Sequence, residues 1–332
     1  MTDPAGGPTS RRRRTGLVLA SAVLVLVTGV AALLLAARGD DGSPAAGDFI
    51  AIARAPRQPP APGAGPDAST GSFESWCGRN ENAHLNADNL IRSPGQPYAA
   101  QHGHEYVGNL ATNAFSTDTV LATAGTTCAN GDLSTYSWPV LRVLNGRADN
   151  AGTDDATGGP GNTGVRVPAA SVLVQFRGNP VSKVVAMPRF LRVVTGDARA
   201  RTAVTGPGGA QWTCSGFVDR RTPLYPVCPN GRRVLRIYDF PSCWDGRRTD
   251  SPSHREHVVF PAANGVCPRD TFAIPQLHLE TAYLVPAGRS FAIDTFPERR
   301  RSPTTDHADF INVMPETLMA GAVACVNGGR HC

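Results

Sequence analysis

The apolar residues of this chain form one long run near the N-terminus and many short runs farther along. The short runs are rich in Val, Ile, Leu and Phe, and Gly, Pro or Asn bounds each of them, which is typical of strands in antiparallel sheets. Clear examples are residues 171–176, 189–194, 233–238 and 257–260. The pattern predicts a mainly β domain, either an antiparallel sandwich or a jelly-roll-like fold with long loops.

Helical periodicity is rare after residue 38. Short helices are expected only around residues 83–92 and 315–323. The chain contains 35 Gly and 28 Pro, and these residues favour turns and interrupt helices. The stretch 148–164 consists largely of Gly, Asp, Thr and Asn, so we expect a surface loop within the domain.

The long apolar run, residues 15–37, is uncharged and follows four consecutive arginines at positions 11–14. At about 1.5 Å per residue, a helix of this length spans the ~30 Å hydrocarbon core of a bilayer. The arginines place the basic segment 1–14 in the cytoplasm, so a single-pass protein of the cell membrane with an extracellular C-terminal domain is expected. A cleavable signal peptide is the alternative, although the run is longer than the usual apolar region of such peptides.

The rest of the chain divides into a linker and a domain. Residues 38–72 are rich in Pro, Ala and Gly, which predicts an extended segment that does not pack and that holds the domain away from the membrane. Residues 73–332 are long enough to bury a substantial core and are expected to form one extracellular domain.

All eight cysteines follow the predicted membrane helix. An even number of cysteines in an oxidising compartment indicates disulfides, and the absence of any Cys-x-x-Cys pair disfavours a metal-thiolate site. Proximity along the chain favours three pairs, and elimination adds the fourth: Cys214 with Cys228, Cys243 with Cys267, Cys325 with Cys332, and Cys77 with Cys128. Eight cysteines can be paired in 105 different ways, so this set of four pairs is a prediction that the structure must test.

Charge adds little to this picture. The formal net charge is +5, and the four N-terminal arginines account for most of it, so no strongly basic surface indicates a nucleic-acid partner. Lys183 is the one lysine among 32 basic residues. Together with the high content of Ala, Gly and Pro, this indicates a high-GC bacterial genome, as in actinobacteria.

Histidines are the first candidates for chemistry, because six of the eight lie in short clusters. Three clusters place two polar residues at positions i and i+2: His102 with His104, His278 with Glu280, and His307 with Asp309. In a strand, both members of such a pair lie on the same face. The four histidines of these clusters are candidate ligands of one divalent metal. Alternatively, they are hydrogen-bonded residues that brace loops, since no cluster has a diagnostic ligand spacing.

The segment 240–257 concentrates rare residue types without the periodicity of a packed helix, which is typical of a binding site. Its candidate binding residues are Trp244, Asp250, His254 and His257. An indole can stack on a sugar ring, and Trp138 and Tyr283 could add further platforms. Alternatively, Trp244 is a core residue that covers a disulfide at the adjacent Cys243.

Carboxylates are the second set of catalytic candidates. Asp245, Glu280 and Asp309 could supply the two carboxyl groups that a glycosidase requires. A serine hydrolase is disfavoured, although Ser251 and Ser253 lie near histidines, because the chain contains no Gly-x-Ser-x-Gly motif.

The sequence resembles the DUF1996 family over roughly residues 77–315. The resemblance rests on motifs in the family's order: HGHEYVGN at 102–109, MPRFLR at 187–192, TGD at 195–197, FPSCWDG at 240–246, SPSHREH at 251–257, GVCP at 265–268, PQL at 275–277 and HADFIN at 307–312. The resemblance implies an exported, cell-wall-facing protein and no particular reaction.

The recurring acidic and histidine positions of that family map onto nine residues: His102, His104, Asp245, Asp250, His254, His257, Glu280, His307 and Asp309. The sequence departs from the family at two places. His278 stands where fungal members tend to have an aromatic residue, and Asn312-Val-Met replaces the more usual Asn-Gly-Trp. A metal site that required His278 would therefore not apply to the whole family.

Three functional hypotheses follow. The first is a membrane-anchored extracellular domain that binds or acts on cell-wall or environmental polysaccharide through its histidine and carboxylate clusters. The second is a metal-dependent hydrolase that uses the paired histidines as ligands. The third is a non-catalytic structural module of the envelope, in which the clusters brace loops.

Overall fold

A computed structural model describes residues 43–144, 159, 161–203 and 208–332. Strands and loops dominate this part of the chain, helices are few and short, and nearly all strand pairs are antiparallel. The prediction of a mainly β, antiparallel domain is therefore confirmed.

Two five-stranded antiparallel sheets form most of the domain. The order of the first sheet is β3 (Leu85–Asn86), β4 (His104–Gly108), β5 (Thr135–Pro139), β18 (His307–Ile311) and β9 (Arg192–Gly196). The order of the second sheet is β10 (Gln211–Cys214), β12 (Val234–Asp239), β16 (Gln276–Tyr283), β8 (Ser171–Arg177) and β2 (Ser72–Glu74).

Smaller elements surround these sheets. The short strands are β1 (Phe49–Ala51), parallel to β11 (Tyr225–Val227); β17 (Phe291–Ile293), β6 (Leu141–Val143) and β7 (Val165–Arg166); and β14 (Val258–Val259), β13 (Cys243–Trp244) and β15 (Phe272–Ala273). The α-helices are α1 (Asp118–Thr123) and α2 (Glu316–Asn327), and the 3₁₀ turns are Ala46–Asp48, Ile52–Arg54, Pro297–Arg299 and Pro303–Thr305.

Both large sheets contribute to one hydrophobic core. The first sheet contributes Tyr136 and Phe310, and the second contributes Phe176 and Leu279. Because successive side chains of a strand point to opposite faces, the residues that alternate with these lie on the outer faces. The outer face of the first sheet is nevertheless buried beneath loops, as His104, Tyr106 and Ser137 are. The candidate site lies on this face.

Most predicted strands are found, because they follow local apolar patterns. The predictions at 171–176 and 233–238 correspond to β8 and β12, whereas the prediction at 257–260 yields only the two residues of β14. The strand predicted at 189–194 begins at Arg192 as β9, because Phe190 has a left-handed backbone with φ of 67°.

One of the two predicted helices is wrong. The C-terminal prediction, 315–323, corresponds to α2, but residues 83–92 form β3 and turns. Ala83 has a φ of 51°, which no right-handed helix contains. The side chain of Asn89 also accepts hydrogen bonds from the amides of Ile91 and Arg92, and this turn replaces helical hydrogen bonds.

Part of the predicted linker packs onto the domain. Phe49, Ile52 and Ala55 are buried, and the ring of Phe49 lies 5.2 Å from that of Tyr225, between their centroids. β1 also pairs with β11. The described residues up to Ala55 are therefore part of the folded domain. Residues 65–72 also pack onto it, since Ser69 is buried and its amide donates to the carbonyl oxygen of Asn179.

The predicted basic segment, 1–14, and the predicted membrane helix, 15–37, lie outside the described residues. Within the residues that are described, no helix has the length and apolar character needed to span a bilayer. Most of the predicted surface loop, 148–164, also lies outside them.

All four predicted disulfides are confirmed. The bonded pairs are Cys77 with Cys128, Cys214 with Cys228, Cys243 with Cys267, and Cys325 with Cys332. No cysteine remains free. Cys214 lies on β10 of the second sheet, Cys243 on β13 and Cys325 on α2. Disulfides of this number are typical of a protein from an oxidising compartment.

Candidate metal centre

Three histidines direct their ring nitrogens at a common point. The Nε2 atom of His307 lies 3.1 Å from Nε2 of His104 and 3.3 Å from Nε2 of His102. One ring nitrogen of each histidine lies within 4.8 Å of the others, and all three side chains are buried. We call these residues the His cluster.

The register of the first sheet brings two of these residues together. His104 on β4 lies opposite Pro139 on the neighbouring β5. On the other side of β5, Asp309 lies opposite Ser137, and continuing this register places His307 beside Pro139. His104 and His307 therefore flank one proline on the same face. His102 joins them from the loop that immediately precedes β4.

The hydrogen bond at His307 determines where its proton lies. Nδ1 of His307 is 2.9 Å from the carbonyl oxygen of Thr305. Because a carbonyl oxygen can only accept, Nδ1 donates this bond, and Nε2 of the neutral ring presents a lone pair to His102 and His104. A metal-binding histidine commonly donates its other N–H to a carbonyl group in this way.

Hydrogen bonds alone do not satisfy the His cluster. The single lone pair on Nε2 of His307 can fully accept one N–H, but it faces two other rings. Among the described residues, Nδ1 of His102 and Nδ1 of His104 have no partner of strict hydrogen-bond geometry, although backbone groups of Ala100 and Asp88 lie close enough to raise the pKa of these two rings. Two rings that compete for one lone pair cannot both be well hydrogen-bonded, which is unfavourable for buried groups, whereas one cation at the centre would bind all three Nε2 lone pairs.

The separations between the nitrogen atoms fit a tetrahedral metal ion. Zn–N bonds of 2.0–2.1 Å at tetrahedral angles place two ligand nitrogens about 3.3 Å apart. The observed Nε2 separations are 3.1 and 3.3 Å. In the described part of the chain, no fourth His, Cys, Asp or Glu joins this group. Three protein ligands with one open position are typical of catalytic rather than structural zinc.

The surroundings keep the three imidazoles neutral. Burial lowers the pKa of each one well below the usual 6.5, and each ring is further disfavoured as a cation by a neighbouring histidine. The buried guanidinium of Arg236 also lowers the pKa of His104 and of His307. Hydrogen bonds with backbone groups of Ala100, Asp88 and Thr305 act in the opposite direction. Neutral imidazole is the form that binds a metal.

An open cleft of about 230 Å³ reaches the His cluster at His102. Asn89, Arg92 and Arg199 lie on its walls together with Phe296. The ring centroid of Phe296 is 5.1 Å from that of His102, and the guanidinium carbon of Arg199 is 4.5 Å from the same phenyl centroid. His102 is the member of the His cluster on its wall, and the wall carries the acceptor Asp197 as well as the donors Asn89, Arg92 and Arg199.

Asp309 lies beside the cluster. It follows His307 by two residues on β18, so both side chains are on one face with Cα atoms about 7 Å apart. Asn89 donates a hydrogen bond of 3.3 Å from Nδ2 to Oδ2 of Asp309. Burial raises the pKa of Asp309 to about 6, although the nearby Arg92 and Arg255 oppose this rise.

The structure does not bring His278 to the other three predicted metal ligands. His278 lies on β16 of the second sheet, and its Nδ1 is 2.6 Å from Oδ1 of Asp239. The two other predicted carboxylates are also elsewhere. Asp245 accepts hydrogen bonds from the amides of Arg247 and Arg248 in a turn, and Glu280 lines a separate groove on the second sheet.

The predicted binding residues of the segment 250–257 are held by local hydrogen bonds. Oδ1 of Asp250 lies 2.8 Å from Nδ1 of His254. Nε2 of His257 lies 2.6 Å from the carbonyl oxygen of Arg192, so it donates, and Nδ1 accepts a 2.9 Å bond from Oγ of Ser251. These contacts brace the loop beside β9.

The three aromatic residues predicted to stack on sugar rings differ in their exposure. Trp244 is half-buried against the core and donates from Nε1 to the carbonyl oxygen of Arg248. Trp138 and Tyr283 are fully buried, so neither can stack on a sugar. Sequence reasoning missed the strongly exposed Trp76 and the cleft residue Arg92, because neither lies in a motif that indicates its position.

The match to a family model covers most of this region. The model described as a domain of unknown function, DUF1996, matches residues 88–313, which include every member of the His cluster. The chain belongs to the DUF1996 family. Neither the comparison with curated proteins nor the comparison with solved structures found a match. In this chain the His cluster therefore lies within the residues that the family model matches.

Proposed function

We propose that this DUF1996 protein is a metal-dependent hydrolase with a single divalent ion at the His cluster. The supporting observation is the convergence of three buried Nε2 atoms at separations of 3.1 and 3.3 Å, which suit tetrahedral zinc. An open cleft includes His102 in its lining. An open coordination position with access to solvent favours catalysis over a structural metal.

Each nearby side chain has a role in this proposal. His102, His104 and His307 would hold the ion through Nε2, and the bound ion supplies a Lewis acid and activates water. The carbonyl group of Thr305 keeps the proton of His307 on Nδ1. We assign Asp309, on the same face of β18, the role of accepting a proton from the attacking water, and Asn89 holds its carboxyl group by a hydrogen bond.

The substrate that we propose is a polysaccharide of the cell wall or the environment. Four disulfides support a location in an oxidising, extracellular compartment. In this proposal, the apolar run 15–37 anchors the protein in the cell membrane. Asn89, Arg92 and Arg199 on the cleft walls offer donors that suit the many oxygen atoms of a glycan.

The first test is the metal content of the full chain, purified from an oxidising host without chelator. We expect about one equivalent of a divalent metal in the parent protein and none in a folded His307→Ala variant. His278→Ala is the matched control, because this histidine is buried but pairs with Asp239. The control should retain the metal.

The second test is chelator-sensitive release of reducing ends from cell-wall and soluble polysaccharides. The parent and His278→Ala should be active, and His307→Ala should not. Equal metal content in parent and His307→Ala, or no metal in the parent after incubation with zinc, would contradict the proposed centre. Stoichiometric metal without hydrolysis would instead favour a structural envelope module.

A further inference from the structure

A second open groove lies on the second sheet, away from the His cluster. Its volume is about 390 Å³, within the range of typical small-ligand sites. The outward-facing residues Glu74 of β2, Leu173 of β8 and Glu280 of β16 line it together with Trp76. Trp76 is 75% exposed and lines the groove, so its indole is accessible to a ligand.

The backbone at Trp76 is held rigidly. Its carbonyl oxygen accepts a 2.8 Å hydrogen bond from the amide of Ala129. The next residue, Cys77, is bonded to Cys128, and its carbonyl oxygen accepts a 2.6 Å bond from Oγ1 of Thr127. A rigid aromatic platform binds a ligand with a small loss of conformational entropy.

The polar groups of the groove are mainly hydrogen-bond acceptors. Glu74 accepts a 2.8 Å bond from Gln175, and Glu81 pairs with Arg79 at 3.1 Å. Among the described residues, no side chain forms a hydrogen bond or ion pair with Glu280, so its carboxylate can accept from a ligand. Three carboxylates and one guanidinium make the groove acidic, which disfavours anionic polymers and suits a ligand with many hydroxyl groups.

We propose that this Trp76 groove binds a neutral oligosaccharide. One sugar ring stacks on the exposed indole of Trp76, and sugar hydroxyl groups donate to Glu74 and Glu280. This binding site is separate from the proposed metal centre, because it uses the outer face of the second sheet and none of the histidines of the cluster. It would hold the protein on a glycan independently of hydrolysis.

The test is a titration of intrinsic tryptophan fluorescence with laminarihexaose, cellohexaose and N-acetylchitohexaose. Trp138 and Trp212 are fully buried and Trp244 is half-buried, so a ligand-dependent change reports mainly on Trp76. At least one neutral hexaose should give a saturable change, and polygalacturonate should give none. Calorimetry should then show at least tenfold weaker binding of that hexaose by Trp76→Ala and weaker binding by Glu280→Gln.

Two comparisons separate this proposal from the proposed hydrolase. Trp244→Phe alters a tryptophan outside the groove and should leave the calorimetric affinity for the hexaose unchanged. His307→Ala and a chelator act at the proposed metal centre and should also leave this affinity unchanged. Because Trp76 is exposed, Trp76→Ala should keep the parent melting temperature. The proposal is overturned if the parent binds none of the three hexaoses, or if Trp76→Ala binds as tightly as the parent.

Discussion

Asp306 binds the guanidinium of Arg236 through two hydrogen bonds, 2.6 Å from Nη2 and 3.1 Å from Nε. Both side chains are fully buried. Arg236 lies on β12 of the second sheet, whereas Asp306 immediately precedes β18 of the first sheet. Asp306 also accepts a 2.9 Å hydrogen bond from the backbone amide of His307. The ion pair therefore connects the two sheets directly behind the His cluster.

Removing one partner of this pair should be strongly destabilising. Asp306→Ala leaves the buried guanidinium of Arg236 without its anion, and we expect a loss of about 3–5 kcal/mol in the free energy of unfolding. Urea denaturation measures it. Arg248→Ala is the control, because it breaks a partly exposed ion pair with Asp245 and should cost less than about 1 kcal/mol. Equal losses in the two variants would contradict a structural role for the buried pair.

Metal binding at the His cluster should stabilise the domain. A ligand at 100 times its dissociation constant adds about 2.7 kcal/mol to the free energy of unfolding. Thermal denaturation with and without a chelator should therefore show a lower melting temperature for the chelated parent and for chelated His278→Ala. His104→Ala should show no effect of the chelator. A chelator effect that survives in His104→Ala would place the metal elsewhere.

Asp309→Asn should separate metal binding from catalysis. The substitution keeps the size of the side chain but removes a proton acceptor beside the His cluster. We expect one equivalent of metal to remain and the rate of polysaccharide hydrolysis to fall by about 10²-fold or more. Elemental analysis and a reducing-end assay measure the two quantities. Parent-like hydrolysis by Asp309→Asn would exclude this carboxylate as the proton acceptor.

Stability should fall at acidic pH because of Asp239. Burial by itself raises the pKa of this carboxyl group, but the hydrogen bond and charge of His278, together with Arg221 and Arg177, lower it to about 2. In the unfolded chain the pKa of Asp239 is near 3.8, so the unfolded state binds this proton more readily than the folded state. The ionised Asp239 therefore stabilises the fold above about pH 4, and this stabilisation is lost as the pH falls from 4 to 2. The side chain is 35% exposed, and after allowance for solvent screening about 1 kcal/mol is expected.

Unfolding experiments between pH 2 and 5 measure this contribution. Between pH 2 and 5, the free energy of unfolding should change in both proteins. The change in Asp239→Asn should be about 1 kcal/mol smaller than the change in the parent. Identical pH profiles for the two proteins would show that the interaction between Asp239 and His278 does not stabilise the fold.

Disulfide removal should depend on loop length. Cys77 and Cys128 are 51 residues apart, and Cys325 and Cys332 are 7 apart. In the chain-entropy model, closing these loops stabilises the protein by about 4 and about 2 kcal/mol, respectively. Replacing each pair by two serines and measuring urea unfolding tests the order. A larger loss for the C-terminal pair would mean that local packing outweighs chain entropy.

Several features of the fold follow from patterns that span only a few residues. β8 and β12 were predictable because each is a short apolar run between turn residues. The helix predicted around residues 83–92 was wrong, because the side chain of Asn89 forms a turn that residue propensity alone does not reveal. Packing of Phe49 and Ile52 was also missed, since their partners lie far along the chain.

At the candidate site, too, local patterns predict some features and long-range contacts decide others. The i, i+2 pattern correctly indicates that His307 and Asp309 share one face of a strand. His278 and Glu280 have the same local pattern, yet they lie on the second sheet. Nothing within either pair distinguishes these two outcomes, because the identity of the neighbouring strand depends on residues about forty to more than one hundred positions away.

The sequence by itself determined the strand pattern, the four disulfides, the family and a short set of histidines. Only the tertiary structure decided that His102, His104 and His307 meet, although His104 and His307 are 203 residues apart, and that Trp76 is exposed beside Glu280. The physical reason is that side-chain alternation is a local property of the backbone. Sheet register and the packing of one sheet against another arise from long-range hydrogen bonds and core contacts.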